Sequence, residues 1–246
     1  MAKLNTALIL AGGMGTRFKE KTLEIPKPMI EANGKPLLSH IMDIYQKYGV
    51  SNFLVLAGYK MEEILKYYRI KYAEKDKNTF TLPNSCTVKI LDTGQETMTG
   101  GRLLRIKDHI DDTFCMTYGD GVSDVNIKDL VKFHRKQHKL ATITAVQPPG
   151  RFGALDIQND LVTGFIEKPQ GDGGWINGGF FVLEPSVLNL IDNDKTIWEQ
   201  KPLKSLAKDK QLTPYFHKGF WRPMDTMRDK IELEELWNEA PPWKVW

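Results

Sequence analysis

The sequence has little cysteine, no long apolar run and no excess of either charge, and each absence narrows what the chain can be. Its two cysteines, Cys86 and Cys115, supply neither a disulfide framework nor a C-x-x-C metal pair. Cys115, inside Thr113-Phe-Cys-Met-Thr-Tyr118, has the surroundings of a small buried apolar residue, which argues against redox chemistry. Nothing approaches the ~20 consecutive apolar residues of a membrane helix. The N-terminal run Ala7 to Ala11 stops at Gly12-Gly13, too soon for a signal core, so the chain reads as cytoplasmic with no membrane partner. Lys and Arg total 34 against 31 Asp and Glu, a net +3 spread evenly along the chain, which argues against a nucleic-acid groove. Internal repeats, low-complexity tracts and linkers are also missing. The 246 residues therefore read as one domain, large enough to hold a rigid site without disulfides or a structural metal.

What is present is alternation. Thr6-Ala-Leu-Ile-Leu10 is a short apolar run closed by a glycine turn, the pattern of a strand buried on both faces. Pro36 opens a segment with apolar residues at Leu37, Leu38, Ile41, Met42, Ile44, Tyr45 and Tyr48, stopped by Gly49, which predicts an amphipathic helix. Strand patterns follow at 53–57, 88–91, 113–118 and 141–146, and helical ones at 61–72, 102–110 and 127–137. This order predicts a doubly wound α/β sheet. From Pro148 the texture changes to short β-type stretches at 154–157, 162–166 and 175–183, split by glycine-rich turns, before a last helix at 226–237. The expected division is a first lobe over about 1–147, a β-richer lobe with substrate-specific parts over about 148–225, and a C-terminal helix over about 226–238.

The residues that can carry chemistry lie in loops. Leu10-Ala-Gly-Gly-Met-Gly-Thr-Arg17 follows the first strand, at the carboxyl end of the sheet where ligands sit in open α/β folds. Its three glycines let backbone N–H groups approach a phosphate. Phe18 stands where the dinucleotide fingerprint needs glycine, and no Gly-Lys-Ser/Thr follows to make a Walker loop. Pro26-Lys-Pro-Met29 frames Lys27 between two prolines, which lowers the entropy cost of placing one ammonium group. Arg17 and Lys27 together can neutralise a polyphosphate, the arginine as a fork and the lysine as a point charge. Asp120, between Gly119 and Gly121 at the end of a central strand, is a hard carboxylate suited to a magnesium ion that bridges phosphates; Asp225 offers a second carboxylate before the last helix, where taken alone it reads as an N-cap. His134 and His138 are four apart on a helix, but the intervening Arg-Lys-Gln lacks the glutamate of H-E-x-x-H, so a solvated face is expected. With no Gly-x-Ser-x-Gly elbow and no charged neighbour beside Cys115, the inventory is phosphate plus metal.

Taken together, LAGGMGTR at 10–17, PKPM at 26–29, DTGQETMTGGRL at 92–103, TYGDGVSDVNI at 117–127, AVQPPGRFGAL at 145–155, EKPQGDGGWINGGFFVLEP at 167–185 and FWRPMDTMRDK at 220–230 closely resemble the sugar-phosphate nucleotidyltransferase family. The blocks TMTGGR and QPPGRFGAL and the PPWKVW ending are similar to its cytidylyl branch. Two departures are visible: a shorter, more charged stretch between Tyr72 and Val88, and Ser39 where tryptophan is usual.

The resemblance implies a Rossmann-like, doubly wound mixed sheet of the glycosyltransferase-A-like kind, with a nucleotide-binding and a sugar-binding lobe. It implies that Leu10, Ala11, Gly12, Gly13, Met14, Gly15, Thr16, Arg17 and Lys27 take the nucleotide, that Thr97, Arg102 and Gly119 lie around the cytidine, and that Asp120 and Asp225 bind Mg²⁺. Glu167, Lys168 and Asn177 would hold the sugar phosphate. It also implies that Arg17, Lys27 and Asp120 carry the catalysis, that the partners are CTP and a sugar 1-phosphate, and that the assembly is a homo-oligomer. The implied reaction is transfer of the cytidylyl group of CTP to α-D-glucose 1-phosphate with release of pyrophosphate. The alternatives are another sugar 1-phosphate or nucleotide, or a non-catalytic nucleotide-sugar-binding subunit.

Overall fold

The computed structural model describes residues 4–148, 154–166 and 174–246, and in it the apolar runs become strands of one large sheet. In chain order the elements are β1 (Thr6–Ala11), α1 (Lys19–Thr22), β2 (Glu31–Ala32), β3 (Lys35–Pro36), α2 (Leu37–Lys47), β4 (Asn52–Ala57), α3 (Met61–Lys71), β5 (Glu74–Asp76), β6 (Thr79–Thr81) and β7 (Thr87–Asp92). They continue with α4 (Thr99–Leu104), β8 (Phe114–Tyr118), β9 (Gly121–Ser123), α5 (Ile127–Gln137), β10 (Ala141–Val146), β11 (Ala154–Gln158), β12 (Leu161–Ile166), β13 (Ile176–Leu183), α6 (Lys201–Lys208), β14 (Leu212–His217), β15 (Trp221–Pro223) and α7 (Met227–Glu239).

Nine strands order as β14-β10-β13-β8-β1-β4-β7-β6-β5. β1, β4, β7 and β8 run parallel, as β10 does to β14, whereas β13 is antiparallel to both its neighbours. The sheet is therefore mixed and doubly wound, as expected. Ala7, Ile9 and Ala11 of β1 and Phe53, Val55 and Ala57 of β4 pack into one core with α2, α3, α5 and α7. Leu8, Leu10, Leu54 and Leu56 pack into a second core with α4 and α6. Alternate side chains leave opposite faces of a strand, so covering both faces with helices requires an unbroken apolar run.

Within residues 148–225, β13 and β14 belong to this main sheet, β11 and β12 form a separate hairpin, and β15 pairs with β9. The charged stretch after Tyr72 forms the β5–β6 hairpin on the far sheet edge. The helix expected over 102–110 starts instead at Thr99 and ends at Leu104, followed by a 3-10 turn at Lys107–His109. Gly100 and Gly101 are contact residues here: a Cβ would lie 2.7 Å from the Thr196 carbonyl oxygen and 2.4 Å from that of Asp194. Close approach outweighs their low helix propensity.

His134 is not on a solvated face. It is buried, with Nδ1 2.8 Å from Thr142 Oγ1 and Nε2 3.0 Å from Glu184 Oε1, while His138 ends α5 in a left-handed conformation. The cap of α7 is Thr226, whose side chain and that of Asp229 form a capping box, so Asp225 is free for another role. The C-terminal tail packs on its own domain, with Trp243 buried and stacked on Phe220 at 5.5 Å between ring centroids. No helix among the described residues is long and apolar enough to cross a membrane.

Candidate active site

The glycine loop leaves the carboxyl end of β1 over a buried arginine. Arg102 Nη2 donates to the Gly12 carbonyl at 2.8 Å, and Nη1 donates to the carbonyls of Ala57 (3.1 Å) and Gly94 (2.8 Å) and to Thr93 Oγ1 (2.7 Å). One side chain thereby ties together the ends of β1, β4 and β7. A Cβ on Gly12 would lie 2.1 Å from Arg102 Nη1, so glycine is required for the guanidinium to fit. Gly15 has φ +63°, and a Cβ there would lie 2.7 Å from Thr22 Cγ2. Gly13, Met14, Thr16 and Arg17 are exposed above this floor.

Lys27 is buried in a short 3-10 turn and points across the sheet end. Its Nζ donates to Asp120 Oδ2 at 2.7 Å and to Asp225 Oδ1, while Arg17 Nη1 donates to Asp225 Oδ2 at 2.7 Å. Four residues scattered through the sequence thus form one cluster. The β9–β15 ladder causes the meeting. Gly121 pairs with Pro223, and Met224 N–H donates to the Asp120 carbonyl at 2.7 Å, which sets the two aspartates side by side. Gly119 N–H donates to the Leu10 carbonyl at 3.0 Å, joining this loop to the end of β1. Two oxygen-donor carboxylates already converging on one cation, the Lys27 ammonium, fit a divalent ion that takes one or two protein carboxylates and completes its shell with phosphate and water.

Thr97 is buried in the loop between β7 and α4, its Oγ1 against Gly94. Asn177, on β13, lies beside Tyr118 at the end of β8, with Nδ2 donating to the Tyr118 hydroxyl at 3.1 Å. The Tyr118 hydroxyl in turn donates to Glu199 Oε1 at 2.5 Å. Sequence reasoning gave neither Tyr118 nor Glu199 a role in the site. Tyr118 had a signal, the last strand position before Gly119-Asp120-Gly121, whereas Glu199 sits in a stretch with no motif. Glu167 and Lys168 lie outside the described residues. Cys115 is fully buried, and burial pushes its thiol far above the usual range, so it takes no part.

The nucleotidyl transferase family profile matches residues 6–232, most of the chain. The chain belongs to the nucleotidyl transferase family. It is 49% identical over 254 aligned positions to the glucose-1-phosphate cytidylyltransferase of Salmonella typhi, covering 98% of this chain and 99% of that one. It is 43% identical to the probable glucose-1-phosphate cytidylyltransferase of Bacillus subtilis with the same coverage. Among solved structures, HddC from Yersinia pseudotuberculosis superposes with a TM-score of 0.71 at 25% identity, over 95% of this chain and all of that one. The glycine loop, two cationic side chains and two carboxylates thus stand together at one end of the sheet.

Proposed function

We propose that the enzyme transfers the cytidylyl group of CTP to α-D-glucose 1-phosphate, giving CDP-glucose and pyrophosphate. The observation that carries this reading is the convergence of Arg17, Lys27, Asp120 and Asp225 beside the glycine loop, in a chain similar over its whole length to cytidylyltransferases. Gly12 to Thr16 present the loop backbone to the triphosphate, and Leu10 and Ala11 lead into it. Arg17 is 74% exposed, so its guanidinium can swing from Asp225 to phosphate oxygens without losing burial. Lys27 supplies a second positive charge, held in place by its two prolines. Thr97, Gly119 and Arg102 form the cytidine side, Arg102 from beneath through the carbonyls it grips.

The sugar phosphate is held by Glu167, Lys168 and Asn177, the lysine on the phosphate and the others on hydroxyls. Its second phosphate pKa is about 6, so the attacking oxygen is already charged at neutral pH and no general base is needed. Attack on the α-phosphorus in line with the departing pyrophosphate requires anions to approach one another, and Arg17, Lys27 and Lys168 lower that barrier by neutralisation and positioning. Mg²⁺ bound by Asp120 and Asp225 would add Lewis-acid neutralisation of the phosphates. Residues 1–147 carry the nucleotide side and 148–225 the sugar side.

The test is pyrophosphate release from CTP, UTP, dTTP, ATP and GTP, each with glucose 1-phosphate, in Mg²⁺ and in EDTA. Release with CTP that EDTA abolishes is expected; release with another nucleotide, or none at all, overturns the assignment. The enzyme also reads as a cytoplasmic homo-oligomer. Leu155, Ile157, Leu161, Val162, Phe165 and Ile166 of the β11–β12 hairpin are each more than half exposed, an apolar surface that a second copy of the chain would cover. A monomer by light scattering at micromolar concentration overturns that part.

A further inference from the structure

Glu199 reaches the site from the connection before α6 and accepts two hydroxyl hydrogens, from Tyr118 at Oε1 (2.5 Å) and from Thr99 at Oε2 (2.7 Å). Thr99 Oγ1 accepts from the Trp198 N–H at 2.9 Å, which anchors the far arm. On the near arm, Asn177 Nδ2 donates to the Tyr118 oxygen at 3.1 Å, and Asn177 Oδ1 accepts from the Gly179 N–H at 2.8 Å. A carboxylate can only accept, so both hydroxyls must donate to it. The Tyr118 oxygen is then left with lone pairs that only a donor can use, and the Asn177 amide is oriented from both ends. The ring is confined as well, since a Cβ on Gly179 would lie 2.6 Å from Tyr118 Cδ2 and Phe181 meets it edge-on at 6.0 Å.

We propose that Glu199 is a positioning residue for the sugar 1-phosphate, acting through Tyr118 to hold the Asn177 amide with one N–H and one oxygen lone pair turned to the ligand. The inference rests on the reading of Asn177 as a sugar-holding residue. Without the carboxylate the Tyr118 hydroxyl can turn its hydrogen toward Asn177, which pushes the amide to flip and reverses the pattern offered to a sugar hydroxyl.

The experiment is steady-state kinetics of Glu199→Leu, which leaves Tyr118 no acceptor, Tyr118→Phe and the double variant, varying CTP and glucose 1-phosphate in turn. Each single variant is expected to raise the glucose 1-phosphate KM about tenfold, the scale of one lost oriented hydrogen bond, and to move the CTP KM less than twofold. Because both act through one path, the double variant should be no worse than either single one. Thr99→Val, which leaves the Tyr118 contact intact, should raise the sugar-phosphate KM far less. A glucose 1-phosphate KM within twofold of wild type in Glu199→Leu, equal rises for both substrates, or multiplicative effects in the double variant overturn the inference. If Glu199→Leu does not fold, Tyr118→Phe, which keeps the ring, decides on the same criterion. A wild type that releases no pyrophosphate from CTP and glucose 1-phosphate overturns the proposed function and this inference with it, whereas an active wild type with unresponsive variants overturns this inference alone.

Discussion

The Lys27 ammonium lies 2.7 Å from Asp120 Oδ2 and also bonds Asp225, so it stands where two converging carboxylates need a cation. Lys27→Met should therefore leave the aspartates facing each other with only the exposed Arg17 as counter-charge. Removing one partner of a fully buried pair costs 3–5 kcal/mol, but Asp120 is 32% exposed, so a loss of about 2 kcal/mol is expected. Mg²⁺ should raise the melting temperature of the variant more than that of wild type, because the ion no longer competes with a resident ammonium. Turnover should fall at least ~100-fold for want of charge on the triphosphate. Melting curves with and without Mg²⁺ check the first two points, and identical metal shifts in variant and wild type would remove Lys27 from this role.

Asp120→Asn and Asp225→Asn keep the shape of each side chain and remove its charge. Each should cut turnover by roughly 10³-fold, the scale of losing several kcal/mol of metal-assisted stabilisation. Mn²⁺ binding followed by electron paramagnetic resonance should weaken in parallel, a readout independent of turnover. Near-normal activity in Asp120→Asn would refute the two-carboxylate metal site.

Much of this cluster was legible because its signals are local. Gly12 to Arg17, Lys27 between its prolines and Asp120 between its glycines each announce a special backbone position in a few residues of sequence. The convergence of Asp120 and Asp225 on Lys27 was not legible from spacing, since it depends on the three-residue strands β9 and β15, too short to show a pattern. β14 was missed because Leu212 to His217 alternates poorly and contains Pro214, tolerated since β14 is the last strand of the sheet. His134 was misplaced because its neighbours Arg135 and Lys136 advertise a wet face, while the buried partners Thr142 and Glu184 come from other elements. Glu199 shows the same limit: its partners, Tyr118 and Thr99, are brought to it only by the fold.

Two glycines of the loop after β1 should respond differently to a methyl group. Gly15→Ala places an L-residue at φ +63° against Thr22 and should cost roughly 1–2 kcal/mol of stability along with nucleotide affinity. A Cβ on Gly13 meets nothing within 4 Å and the backbone there is not left-handed, so Gly13→Ala should melt like wild type. If the triphosphate lies over this loop, the same methyl should still raise the CTP KM about tenfold. A Gly13→Ala enzyme with both normal melting and normal CTP KM would move the triphosphate away from that residue.

His40 should make the fold acid-sensitive. Its ring is fully buried beside Trp237, with Nε2 3.1 Å from the Ala32 carbonyl oxygen and Nδ1 without a partner among the described residues. Protonation would put a buried donor at Nδ1 with nothing to accept it, and burial lowers the His40 pKa from 6.5 to about 4. Between those values the unfolded chain binds the proton and the folded one does not, so stability is full above pH 6.5 and is lost as pH falls toward 4. The loss from this one group between pH 7 and pH 5 should be about 2 kcal/mol. Burial lowers His134 in the same direction, against the opposing pull of Glu184. Urea unfolding at pH 7 and pH 5 should show His40→Gln, whose amide can still donate to Ala32, losing clearly less stability than wild type over that interval. Equal losses in the two proteins would place the acid sensitivity elsewhere.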